Sequence, residues 1–185
     1  MVQNNVQKPE NRGYEKEDAY QSLSMINAWI GNIDTKVSFA LALGGVLIGL
    51  IFEKGIPSAF KRIAEVSKLA ELNGGEVIAA ILVGLLYLFS FLSIISFIWA
   101  IIARVKNINN VSSIFFFGSI AGMELENYIE RANGITEEEV IKDLEEQIYI
   151  NSKICSQKAK WYNIGVKLLA ITIILWFICM TLSLI

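Results

Sequence analysis

The sequence predicts an all-α membrane protein with three transmembrane helices, the first and last of which extend into a cytoplasmic helical region. Three observations lead there. Apolar residues make up 54% of the 185 and charged residues only 18%, where soluble domains have about half and about a quarter. Three runs are uncharged, Val37–Phe52, Val77–Ala103 and Leu168–Ile185, and a helix needs about 20 apolar residues to cross a hydrocarbon layer of about 30 Å. Ahead of the first run, apolar residues recur at three- and four-residue steps, the period of a helix face.

Taken in order, residues 1–13 are polar and aperiodic, the composition of a disordered leader. A cytoplasmic helix is predicted over 14–36, with Tyr20, Leu23, Ile26, Ile30 and Val37 on one stripe. No proline separates it from the first span, 37–53, so one long helix should begin in the cytoplasm and end in the bilayer. That span follows an acidic, polar leader and starts too deep in the chain for a secretory signal. Residues 54–76 read as an external amphipathic helix or loop, with Ile56, Ala59, Phe60, Ile63, Val66, Leu69 and Ala70 on one face. The second span covers 77–103.

Residues 104–164 are read as a cytoplasmic helical segment with a sensing role. Asn107, Asn109 and Asn110 argue for a turn. Residues 120–132 suit a short helix with Gly134 as its C′ residue. Thr136–Glu139, "TEEE", is a capping box that opens a second long helix. Only Gly165 could weaken that helix before the third span, 165–185, and Trp161 and Tyr162 fall where an interfacial aromatic pair belongs. Seven basic residues flank the spans on the side shared by the N-terminus and 104–167 (Lys36, Arg104, Lys106, Lys153, Lys158, Lys160, Lys167). Four lie opposite (Lys54, Lys61, Arg62, Lys68). The excess favours a cytoplasmic N-terminus.

Composition also excludes functions. A net charge of −2 argues against nucleic-acid polymers as partners. Cys155 and Cys179 cannot make a disulfide framework and fit a reducing compartment. There is no histidine, no metal-ligand spacing, no phosphate loop and no GxSxG. No catalytic residue, metal or cofactor is therefore expected, and an enzyme is not. None of the three uncharged runs holds an Asp, Glu, Lys, Arg or His side chain, which argues against a pump, proton relay or selective carrier. Ser90, Ser93 and Ser96 either line a polar path or bond to their own or a neighbouring helix. Ser38, Ala42, Gly45 and Gly49 form a small-residue face suited to helix packing, with a partner in the same chain or a neighbouring one.

Asp34 and Lys36 stand at the mouth of the first span. Lys36 can reach the headgroups while Asp34 stays hydrated. Asn27 lies one heptad before Asp34, and the pair interrupts an otherwise apolar stripe. Polar groups on a packed face need partners, so the cluster is a place where a polar ligand could be held.

Three stretches carry a resemblance. "NIDTKVSFALAL" (32–43), "SSIFFFGSIAG" (112–122) with Tyr128, and "DLEEQIYINSKICSQKAKWYNIGVKLL" (143–169) occur in the order expected of the Pycsar transmembrane effector family. Ile33 and Val37 stand where that family suggests alanine, and Ser119 where it suggests an acid. The resemblance implies an antiphage-defence effector: a partner cyclase makes a cyclic pyrimidine mononucleotide (cUMP or cCMP) on infection, and the effector compromises the inner membrane. The ligand is then expected among Asn27, Asp34, Lys36, Ser112, Ser113, Phe116, Gln147 and Lys158. Lys36 or Lys158 would meet the phosphate, Phe116 would stack on the base, and Asn27, Asp34 and Gln147 would bond its edge or the ribose. A homo-oligomer in contact with membrane lipid is expected. The alternative is a small membrane scaffold or anchor that recruits a cytoplasmic partner.

Overall fold

The computed structural model describes residues 13–53, 55–66, 72–103 and 113–185. The expected turn at Asn107–Asn110 and residues 1–12, Leu69, Ala70 and Ser112 lie outside them. The described elements are helices: α1 (Lys16–Phe52), α2 (Ser58–Glu65), α3 (Gly74–Ile102), α4 (Phe117–Ala121), α5 (Leu125–Gly134) and α6 (Glu137–Thr181). α1, α3 and α6 are long and apolar enough to cross a membrane. At 1.5 Å per residue they measure about 55, 44 and 68 Å, so α1 and α6 greatly exceed a hydrocarbon layer of about 30 Å. Only 22% of the most apolar window of each is buried inside the chain. Large apolar side chains such as Phe39, Val46, Phe91 and Phe177 face outward, a surface that lipid solvates and water does not.

The chain divides into two compact units, and α1 and α6 contribute to both. The first comprises the described parts of Met1–Ile30 and Arg104–Cys155. Its buried residues on α6 are Asp143, Leu144, Gln147 and Ile150, a three- and four-residue stripe that is half polar. Ala19 of α1 is fully buried, Tyr20 meets Phe115 edge-to-face at 5.7 Å, and Lys16 lies 3.8 Å from Glu137. The start of α6 is the expected capping box. The Thr136 Oγ1 accepts from Glu139 N–H at 3.3 Å, and a Glu139 carboxylate oxygen accepts from Thr136 N–H at 2.9 Å. The Thr136 N–H, then its hydroxyl, hold the Glu139 carboxyl below the usual carboxylate range.

The short helix expected over 120–132 is instead two helices. α4 stops at Gly122, whose N–H turns back to Ser119 and Ile120 carbonyls, and Glu124 is extended (φ −69°, ψ 150°). Gly134 is the last residue of α5 rather than a left-handed C′ residue. The helix ends because Ile135 is extended at φ −72°, ψ 135°.

The second unit comprises Gly31–Ala103 and Ser156–Ile185. Buried positions recur on α1 at Ile33, Val37, Leu47 and Ile51, and on α3 at Val83, Leu86, Ser90, Ser93, Phe97 and Ala100. Two glycines set how closely the helices approach. A Cβ on Gly44 would meet Ile94 Cδ1 at 2.9 Å, and one on Gly165 would meet the Phe97 ring at 2.6 Å. Gly165 thus leaves α6 unbroken and makes room for a ring that is itself fully buried. Ser93 Oγ donates to the Gly165 carbonyl at 3.0 Å, a bond between helices that this close approach permits. Ser90 and Ser96 donate to the Leu86 and Leu92 carbonyls of their own helix. The three serines are buried packing hydroxyls, not the lining of a polar path.

The stretch expected as an amphipathic helix or loop over 54–76 contains a short helix. α2 ends at Glu65 because Val66 is extended (φ −81°, ψ 138°). Ala59 is buried, Phe60 packs on Tyr87 at 5.7 Å, and Ile56 is exposed. Arg62 donates to Glu76 at 3.1 Å, and Glu76 closes a capping box with Asn73 that opens α3. The "NGGE" spacing carried that signal in the sequence.

Candidate functional site

In the first unit, residues 113–116 lead into α4, and their backbone donors are met by buried side chains. Ser113 Oγ accepts from Phe115 N–H at 3.2 Å and Phe116 N–H at 3.0 Å. Gln147 Nε2 donates to the same oxygen at 3.4 Å, and Asp143 Oδ2 accepts from Ile114 N–H at 2.9 Å. Ser113, Asp143 and Gln147 are each no more than 4% exposed. A buried backbone N–H without a partner is costly, so the loop is held in place by two α6 side chains one turn apart. Phe116 is half-buried, and its ring lies where a Cβ on Gly118 would meet it at 2.5 Å. Asn27 is exposed and accepts from Asn151 Nδ2 at 2.9 Å.

Of the expected site residues, Ser113, Phe116 and Gln147 therefore come together, and Asn27 belongs to the same unit. Ser112 lies outside the described residues. Asp143 and Asn151, which were not among the expected residues, bond to the 113–116 loop and to Asn27. Asp143 sits four residues before Gln147 on one face of α6, a repeat of polar residues among Leu144 and Ile150 that could have revealed it.

In the second unit, Lys158 is 6% exposed. Its Nζ donates to Asp34 Oδ1 at 2.6 Å and to the Ile101 carbonyl at 3.1 Å. A buried ammonium is expensive unless paired and hydrogen-bonded. Asp34 supplies the charge. Ile101 supplies one of the last carbonyls of α3, which has no partner in its own helix and sits at the negative end of its dipole. One ammonium thus joins α1, α3 and α6. Within a turn of it, Trp161 stacks on Trp99 at 6.1 Å and Tyr162 meets Phe97 at 6.4 Å. Polar clamp and aromatic layer together have the makeup of a membrane–water boundary.

Thr35 and Ser38 spend their hydroxyls on the Gly31 and Asp34 carbonyls. Lys36 is exposed and has no ion-pair partner among the described residues. Among the described residues nothing packs closely on the small-residue face. Ser38, Ala42, Gly45 and Gly49 are all exposed, and a Cβ on Gly45 or Gly49 would meet nothing within 4 Å. Among the described residues no group of three His, Cys, Asp or Glu side chains could hold a metal.

The Asn27–Asn151 and Asp34–Lys158 pairs have the same offset, 124 residues. Each joins α1 to α6 within its own unit.

The profile of the Pycsar effector protein domain matches residues 18–185. The Pycsar effector protein GmPycTM of Gulbenkiania mobilis is 33% identical over 177 residues, covering 86% of this chain and 88% of that protein. No solved structure matches. The described helices, the three apolar spans and the near full-length match agree, and the chain belongs to the Pycsar effector family.

Proposed function

We propose that this chain is the membrane-damaging effector of an antiphage defence system. It binds a cyclic pyrimidine mononucleotide, cUMP or cCMP, made by a partner cyclase. It then acts as a homo-oligomer that breaches the bacterial inner membrane, with its N-terminus in the cytoplasm. The supporting observation is that α1 and α6 each run without a break from polar sequence into an apolar span. In this reading the two helices carry a change at their polar ends into the bilayer. Family membership supports the defence role.

Within the first unit the proposed nucleotide contacts are Asn27, Ser113, Phe116 and Gln147, with Ser112 beside them in sequence; Ser113 and Gln147 are buried against one another, so a nucleotide reaches them by displacing the loop they hold. An amide offers the donor and acceptor that a pyrimidine edge needs, and a phenyl ring offers a stacking face worth about 1–3 kcal/mol. A ligand shifts the spans only if it binds the active arrangement more tightly. Of the two lysines expected to meet the phosphate, Lys158 already has two partners. Both lysines belong to the second unit, and Lys36 has no ion-pair partner among the described residues.

Titration calorimetry of the purified full chain with cUMP and with cCMP tests the reading. Binding should be present in the parent and reduced at least tenfold in Gln147→Ala and Phe116→Ala, with the helical circular dichroism retained. Affinity for neither nucleotide in the parent would remove it.

A further inference from the structure

The second unit contains a cavity of about 510 Å³ where α1 and α6 end, within the range of about 300–1,000 Å³ typical of small-molecule sites. Its apolar wall is Ile51, Ile56, Pro57, Met180, Leu184 and Ile185, and its polar groups are Ser58, Lys61 and Ser183. Both spans finish here. α1 stops at Phe52 and turns at Gly55, whose φ of 76° suits glycine. α6 closes in a Schellman motif: Leu184 N–H bonds the Cys179 carbonyl at 2.9 Å and Ser183 N–H bonds the Met180 carbonyl at 3.0 Å. Ser183 takes the left-handed position (φ 54°) that glycine usually fills, and it is one of the residues that line the cavity.

The charges are unequal. Arg62 is occupied by Glu76 at 3.1 Å and Glu65 at 3.7 Å. Lys61, its neighbour on α2, has no ion-pair partner among the described residues and is the charged side chain lining this cavity. The apolar cluster that shares Ile51, Leu184 and Ile185 with the cavity wall also contains Tyr87 and Trp176. The Tyr87 hydroxyl and the Trp176 indole N–H are buried there with no hydrogen-bond partner among the described residues. Both are capable donors to an oxygen-rich ligand. An apolar wall, a free ammonium and hydroxyls, placed where two spans leave the hydrocarbon, match the chemistry of a phospholipid at its phosphate: acyl chains below, anion above.

We propose that this cavity holds the phosphate of an anionic phospholipid from the leaflet in which α1 and α6 end, with Lys61 as its counter-charge and the hydroxyls of Ser58 and Ser183 as donors. The site is at the opposite end of the spans from Asp34 and Lys158, and it stands or falls independently of nucleotide sensing.

Native mass spectrometry of the detergent-purified full chain, with added phosphatidylglycerol or phosphatidylcholine, tests it. The parent should retain phosphatidylglycerol at least fivefold better than phosphatidylcholine. Lys61→Gln should abolish that preference, and Lys160→Gln, at the other end of the span, should preserve it. Ser183→Gly suits the left-handed backbone, so it should fold normally and still lose phosphatidylglycerol severalfold. Equal retention of both lipids, or an unchanged preference in Lys61→Gln, overturns the proposal. Retention of added inorganic phosphate in place of lipid assigns the cavity to a free anion and overturns it equally.

Discussion

Replacing Asp34 by asparagine and Lys158 by methionine removes the same ion pair, and the two changes should have unequal consequences. The partners are buried to different degrees: the Lys158 side chain is 8% exposed and that of Asp34 is 44% exposed. At 2.6 Å and an effective dielectric of about 20 the gross attraction is about 6 kcal/mol, most of it offset by the desolvation of the ammonium. Asp34→Asn leaves the cation buried without its counter-charge. Breaking a fully buried pair costs about 3–5 kcal/mol, and the partial exposure of Asp34 scales this to about 1.5–3 kcal/mol. Lys158→Met leaves a carboxylate that water can reach and fills the buried site with an apolar chain of similar length, so its cost should be about 0–1 kcal/mol. Thermal unfolding in detergent micelles, followed by circular dichroism, reads the difference. At about 2–4 °C per kcal/mol for a chain of this size, Asp34→Asn should lower Tm by about 3–12 °C and Lys158→Met by no more than about 4 °C. Adding Lys158→Met to Asp34→Asn should raise Tm again. A double variant less stable than Asp34→Asn alone would refute the argument that Lys158 is the burdened partner.

Further expectations concern glycines, the α6 cap and topology. Gly165→Ala drives a methyl into the buried Phe97 ring and should cost about 1–3 kcal/mol or more in the same thermal assay. Gly45→Leu, with open space around its Cβ, should leave Tm within a few degrees yet prevent triggered depolarisation if that face meets a second copy; a fully active variant would exclude the face. Thr136→Ala should lower the stability of the α6 start by about 1 kcal/mol, measured by hydrogen exchange of its first-turn amides. Because the folded-state pKa of Glu139 is depressed from 4.5, its contribution is present above that value and lost as pH falls through the depressed range. Protection in the parent should therefore decline toward that of Glu139→Gln on acidification, and a gap that widens in acid would contradict the assignment. In a cysteine-free background, a membrane-impermeant thiol reagent added to whole cells should label Ser58→Cys and spare Val140→Cys; the reverse pattern inverts the topology.

The long helices were legible because their signals are local. An absence of proline, a helical apolar period and the Thr136–Glu139 cap all sit within a few residues of the features they determine. What the sequence hid depends on partners far along the chain. Asp34 was visible as a break in an apolar stripe and Lys158 as a cation before a span. Their pairing needs the register of α1 against α6, an offset of 124 residues that no local pattern encodes. Gly165 illustrates the same gap in reverse. Helix propensity marks it as a weak point worth about 1 kcal/mol, whereas its use is to admit the ring of Phe97, 68 positions earlier. The end of α2 was not legible, for a local reason. The amphipathic period continues through Val66, but the backbone there is already extended, and periodicity reports faces rather than dihedral angles.

The most direct measurement is made in liposomes that contain the purified chain, a potential-sensitive dye and an imposed membrane potential. Cyclic pyrimidine nucleotide added on the side of residues 113–155 should collapse the potential within minutes. A cyclic purine nucleotide should not, and Gln147→Ala should respond only at concentrations at least tenfold higher. A potential that holds when either cUMP or cCMP is added, with the protein folded and inserted, would contradict the account.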